Sequence, residues 1–310
     1  MTPFAVLFLS VAIIAFLAGV LGNGIILAAS SSSCIGSKTW PQYDMIVISL
    51  SSSRFIFHFW NILYLFINIL REHSYFKEDI SFVFNPGYIF FSYSSLWFGA
   101  WLSVFYCIKV ASFTQHFFIW LKLRIARLVP WMLLTSWLCS FTAAIPFAWD
   151  VYRVHENFTA PLSMTNSSAR RTTWNDRLTL LKNLWNASTA LPLILSVVSN
   201  ILLIWSLWIH TRHMQNNASG FGDPSLEAHM KAIKSVFSFL ILYIIYFISL
   251  LLLLYSEFLS LSIEESICET LLAACSTAHT FVLFWSNPKF QELPARIWQH
   301  IKCRVRTSSM

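Results

Sequence analysis

The sequence predicts an all-α membrane protein: one seven-transmembrane helix bundle, with its N-terminus extracellular and its C-terminus cytoplasmic. Three observations carry that expectation. Of the 310 residues, 56% are apolar and only 11% charged, against about 25% charged in an average soluble domain. The apolar residues gather into windows long enough to cross roughly 30 Å of hydrocarbon, which takes about 20 residues of helix. The basic residues then fall unequally on the two sides that those windows define.

Seven windows qualify, at about 4–29, 45–70, 88–109, 128–149, 184–209, 235–256 and 264–286. The first lacks a basic leader and exceeds a signal-peptide core, so it is expected to stay in the protein. It carries Asn23 in LGNGIIL, and the second carries Arg54 and His58 in SLSSSRFIFHFWN. Trp97 and Trp101 stand in the third, which ends in LSVFYCIKVASF, residues 102–113. After the fourth comes a polar stretch, 150–183, read as a long extracellular loop. The sixth window carries Tyr246, and the seventh carries Glu269 and His279. Residues 287–310 read as a short cytoplasmic tail in which Cys303, among basic residues, is a palmitoylation candidate of low specificity. Helices are the expected spanning element, because no short alternating strands suggest a barrel and backbone groups in lipid need internal partners.

Lys and Arg decide the orientation. With the N-terminus outside, 13 of the 21 basic residues are cytoplasmic and 7 extracellular, and Arg54 lies within the membrane. The formal net charge of +7 is therefore topological and not a nucleic-acid signal. The basic residues gather in segments read as inner loops: Lys122, Arg124 and Arg127 in KLRIAR, His210 and Arg212 in HTRHMQ, and Lys231 and Lys234 in KAIK. Such a collar suits anionic lipid, and it also suits docking of an acidic or amphipathic partner helix. Two glycosylation sequons, at Asn157 and Asn166, fall in the extracellular stretch.

Arg54 is the one full charge deep in a span. Arginine at a helix centre costs about 2.5–3.5 kcal/mol on insertion scales, so it is expected to face the bundle interior, with Asn23, serines or carbonyls as acceptors. Its role reads as structural or switching. His58 and His279 read as hydrogen-bonded interior histidines, since no HExxH or partnering carboxylate accompanies them. Glu269 is open to two readings, a carboxylate facing a ligand cavity or an ordinary interfacial acid. No nucleophile elbow, phosphate loop or dinucleotide fingerprint is present, and the six cysteines show no metal-type or disulfide spacing. The chain reads as neither an enzyme nor a cofactor protein.

Four stretches resemble the type 2 bitter taste receptor family, seven-helix receptors coupled to heterotrimeric G proteins. LSVFYCIKVASF resembles the family's LSxFYxxKIAxFS at the inner end of the third helix. ISLSSSRF resembles its second-helix LAxSR. Residues 206–247, from SLWIHTRHMQ through DPSLEAHMKAIKSV to YIIYF, resemble its fifth helix, third inner loop and sixth helix. STAHTFVLFWSNPKF resembles its seventh-helix HSFxLIxxNxKLK.

The resemblance covers essentially the whole chain. It implies that Tyr106 and Lys109 contribute to an inner switch where rhodopsin-like receptors carry an acid–arginine pair. It implies that Trp97, Tyr246 and Glu269 stand at ligand-pocket positions, with Trp101 one turn below Trp97 narrowing the pocket. Thr280 after His279, and Phe284-Trp285, depart from the family pattern. Implied too are small bitter agonists, a gustducin-like or inhibitory-class G protein with a calcium signal, and a plasma-membrane location; pairing with a second receptor copy is left open by the sequence. A vomeronasal-type receptor and a membrane transporter are the rival readings. The first would not be expected to carry these motifs, and the second would need paired intramembrane charges or broken repeated helices.

Overall fold

A computed structural model of the chain describes residues 3–35, 40–70, 77–111, 115–159, 167–217, 224–255 and 263–291. They form α1 (Pro3–Ile35), α2 (Gln42–Leu70), α3 (Lys77–Val110), α4 (His116–Thr159), α5 (Ser167–Asn217), α6 (Pro224–Tyr255), α7 (Ile263–Ser286) and the one-turn α8 (Pro288–Gln291). Among the described residues there is no strand. Successive helices run antiparallel, which gives the bundle an N-terminal face, where α1 begins, and a C-terminal face, where α7 ends.

The helices α1, α2, α3, α5, α6 and α7 each pack on the next and close a ring, with α7 back against α1. α4 lies outside it, against α3 and more thinly against α2. That position explains why α4 presents so much apolar surface, with Leu123 79%, Trp131 67% and Phe141 59% exposed. Soluble monomers rarely carry patches of this extent; hydrocarbon chains are the solvent that suits them. Together with α8, the ring and α4 bear out the all-α seven-helix bundle.

Six described helices contain a stretch long and apolar enough to cross a membrane, and α3 is the seventh long helix of the bundle. The reason α3 falls short of the same apolarity is its place in the centre. From Phe84 to Ile108 no described side chain of α3 is exposed, so its Ser92, Ser94 and Ser95 meet protein and not lipid. A helix so largely covered by its neighbours need not be apolar all round.

The helices outrun the apolar windows. KLRIAR lies in the first turns of α4, His210 and Arg212 on α5, and Lys231 and Lys234 on α6, so the basic collar is helical and not looped. Lys and Arg are good helix formers and hold their charged ends in water while their stems follow the cylinder. The stretch 150–183 differs in the same way: α4 continues to Thr159 and α5 begins at Ser167, while residues 160–166 lie outside the described residues.

Two glycines set how closely the helices approach. A Cβ on Gly19 of α1 would fall 2.5 Å from the His58 ring of α2 and 2.8 Å from Thr277 Oγ1 of α7. One on Gly87 of α3 would fall 2.7 Å from Trp60 of α2. Small residues at helix crossings let backbones close up where packing, not water, drives association.

Candidate functional site

At the middle of α2, Arg54 is only 6% exposed. It stands about 18 Å along the helix from Gln42, by the 1.5 Å rise per residue. Its Nε donates to Ser95 Oγ of α3 at 3.0 Å, and its Nη1 donates to His279 Nδ1 of α7 at 2.6 Å. Arginine has donors only, so Nδ1 is the acceptor and the His279 proton sits on Nε2. The His279 ring also lies 4.4 Å from the Phe239 ring of α6. Arg54 thus ties α2 to α3 and α7, and through His279 reaches α6. The interior position expected for Arg54 is where the structure puts it.

Asn23 is not among its partners. Its Nδ2 donates to Gly19 O at 2.8 Å and its Oδ1 accepts from Thr280 Oγ1 at 3.2 Å. The short amide finds its own helix one turn back sooner than it spans to α2, and its remaining oxygen joins α1 to α7. His58 Nε2 lies 3.2 Å from Ser276 Oγ, and Thr277 Oγ1 donates to Ala15 O at 2.8 Å. These bonds continue the α1–α2–α7 seam beside Arg54.

A small cavity of about 10 Å³, room for a single water-sized particle, lies beside Arg54, lined by Ser95, Leu96, Leu242, Tyr243, Tyr246, Cys275, Ser276 and His279. Tyr246 is on its wall. Tyr243 donates its hydroxyl to Leu96 O at 3.0 Å, pinning α6 to α3. Trp97 packs against the buried cluster that contains Tyr243, Tyr246, Leu250 and Cys275. Its indole Nε1 is buried without a hydrogen-bond partner, whereas nine-tenths or more of buried polar groups have one. Trp101 stacks on Trp97 at 5.7 Å but gives its Nε1 to Ser136 Oγ of α4 at 2.7 Å. Its polar end is therefore turned away from the cavity. Glu269 is half-buried on α7, ten residues and about 15 Å from His279 along the helix.

The C-terminal face carries a second polar network that no local pattern in the sequence reveals. Tyr106 of α3 donates to the Tyr43 hydroxyl of α2 at 3.4 Å, and Asn287 Nδ2 donates to the same oxygen at 3.0 Å. Asn287 Oδ1 accepts from the Lys289 backbone at 3.0 Å, and Lys289 Nζ bridges back to Asp44 Oδ1 of α2 at 2.7 Å. Ser235 of α6 meets Ser286 of α7 at 2.5 Å. The ends of α2, α3, α6 and α7 are thus laced together around fully buried Phe290. The pairing partners lie up to 245 residues apart, so only the third dimension displays them; a tyrosine–acid pair opening α2 and an Asn-Pro-Lys closing α7 were the available cue.

Lys109, one turn beyond Tyr106, is exposed, with its Nζ 5.9 Å from the Phe105 ring centroid. Lys122, Arg124, Arg127, His210, Arg212 and Lys234 are exposed at the same face. Arg124 lies 4.9 Å over Trp120, and Arg212 4.4 Å over Trp208, a pairing of cation and indole suited to the membrane boundary. Lys231 lies on α6 with its side chain outside the described residues, and so does that of Asn157 in the last turn of α4. Asn166 and Cys303 lie outside the described residues altogether.

Comparison with known proteins finds relatives along nearly the whole chain. Residues 1–302 match the family model described as taste receptor protein (TAS2R). The chain is 54% identical over 298 residues to taste receptor type 2 member 40 of Gallus gallus, covering 96% of each chain. It is 33% identical over 306 residues to member 39 of Homo sapiens, covering 98% of this chain and 89% of the other. To member 41 of Rattus norvegicus it is 33% identical over 289 residues, 93% of each.

Proposed function

The chain belongs to the TAS2R taste receptor family, a bitter-taste G-protein-coupled receptor of the plasma membrane and not an enzyme, and on that premise we propose how it is oriented, loaded and read. Its N-terminal face is extracellular and its C-terminal face cytoplasmic, as the 13-to-7 division of basic residues supports. A small bitter agonist enters from outside and lodges between α3, α6 and α7, against Trp97 and Tyr246, with Glu269 at the mouth. The observation that carries this reading is the buried, unpartnered Nε1 of Trp97 beside the aromatic cluster of Tyr243 and Tyr246. A buried donor without a partner is costly, and a ligand acceptor removes the cost.

Binding has to favour one arrangement over the other, because equal affinity for both shifts nothing. Tyr243 and Phe239 give α6 two handles within reach of an agonist: the first holds the Leu96 carbonyl, the second the His279 ring. An agonist that repacks Tyr246 moves the same helix, whose other end is held by Ser235 to Ser286. Release of that end and of the Tyr106–Tyr43–Asn287 network opens the cytoplasmic face. Lys122, Arg124, Arg127, His210, Arg212, Lys231 and Lys234 then receive the C-terminal helix of a gustducin-like or inhibitory-class α-subunit, and a calcium signal follows. Asn157 and Asn166 are the glycosylation sites of this orientation, and Cys303 a lipid-anchor candidate of the tail.

The experiment is a calcium-response screen of bitter compounds in cells expressing the chain with a gustducin-type α-subunit chimera. A saturable response that disappears without the α-subunit is expected. A response that persists without it would favour transport. Silence across a broad library, with receptor at the surface, would remove the bitter-agonist assignment.

A further inference from the structure

Arg54 is a cation at the centre of the bundle, and among the described residues no carboxylate touches it. Its partners, Ser95 and His279, are both neutral. Asp44 is engaged with Lys289 and lies ten residues, about 15 Å, away along α2. Glu269 is as far from His279 along α7. An uncompensated charge at this depth is unfavourable, since two or three neutral hydrogen bonds do not replace hydration of a full charge.

The cavity adjoins the guanidinium, and its polar wall includes hydroxyls able to donate. Ser95 Oγ accepts from Arg54 Nε, which leaves its own O–H to donate. Tyr246 and Ser276, the latter bonded to His58, are on the same wall. We propose that Arg54, Ser95 and Tyr246 form a site for a small monovalent anion of the halide class, held between α2, α3, α6 and α7. A monovalent anion cancels the one charge present. A divalent one would leave a net negative charge in the same low-dielectric space, and a cation would meet Arg54 head on. The anion cross-links four helices and so stabilises the bundle whether or not an agonist is bound.

The test is the thermal unfolding midpoint of the purified full-length receptor, titrated with chloride against gluconate at constant ionic strength, without agonist. A saturable rise with chloride is expected, with bromide substituting and sulfate not. At ten times the dissociation constant the midpoint should lie about 2 °C higher. Arg54→Gln should abolish the dependence. Tyr246→Phe removes only a hydroxyl, and should raise the half-saturating chloride concentration about tenfold; it keeps the test open if Arg54→Gln does not fold. Equal midpoints in chloride and gluconate would overturn the proposal, as would a chloride dependence unchanged in Tyr246→Phe.

Discussion

Breaking the Asp44–Lys289 bridge should raise signalling in the absence of agonist. The bridge joins the first turn of α2 to α8 at 2.7 Å, with the Asp44 side chain 7% and the Lys289 side chain 32% exposed. An exposed pair is worth about 0.2–1 kcal/mol, and removing one partner of a buried pair costs about 3–5 kcal/mol. A half-buried pair with one solvated end sits between, at roughly 1.5 kcal/mol. If the bridge exists only in the closed arrangement, losing it moves the closed–open equilibrium by that amount, a factor of about ten in the basal active fraction. The assay is agonist-independent G-protein activation, normalised to receptor at the surface, for Asp44→Asn, Lys289→Gln and the exchanged pair Asp44→Lys with Lys289→Asp. Both single variants should rise by about tenfold, and the exchanged pair should fall back toward the parent. Basal activity equal to the parent in both single variants, at equal surface density, would refute the idea that this network holds the closed state.

Three further outcomes follow from the packing. Gly19→Ala places a methyl 2.5 Å from the His58 ring and 2.8 Å from Thr277 Oγ1; it should cost about 1–3 kcal/mol and lower the thermal midpoint by several degrees, whereas Gly24→Ala, with its nearest neighbour at 3.4 Å, should leave the midpoint near the parent's. His279→Ala leaves Arg54 Nη1 without its acceptor and should cost about 2–4 kcal/mol, seen as loss of surface receptor, with partial recovery in His279→Gln. Asn157→Gln and Asn166→Gln should each speed migration on a gel as enzymatic deglycosylation does, and no change in either would contradict the extracellular placement of that stretch.

Composition and periodicity made the bundle legible because lipid forces one solution: each span must be helical and mostly apolar. The same physics explains where windows mislead. α3 escapes the rule by sitting in the centre, so its serines lower the apolarity of a helix that is fully part of the bundle. The charged ends of α4, α5 and α6 read as loops because hydropathy reports the membrane boundary, while the helix ends where its backbone does. Arg54 was legible since a single intramembrane charge stands out. Its partner His279 was visible but unpaired with it, for 225 residues separate them. Trp101 shares a face with Trp97 by sequence spacing, yet its indole nitrogen turns to Ser136. Spacing fixes the face of a helix and not the rotamer. The Tyr43, Asp44, Asn287 and Lys289 network was missed altogether, because hydrogen bonds between chain ends leave no periodic trace.

The proposed agonist site is the cluster between α3, α6 and α7. It is tested most directly by concentration–response curves for the strongest agonist of the screen on Trp97→Ala, Tyr246→Ala and Trp101→Ala, at matched surface density. Trp97→Ala and Tyr246→Ala should each raise the half-maximal concentration tenfold or more, as loss of about 1.4 kcal/mol of contact requires, with Trp101→Ala, whose indole nitrogen faces α4, moving it less. Unchanged curves for Trp97→Ala and Tyr246→Ala, with the response intact, would place the agonist elsewhere and contradict the account.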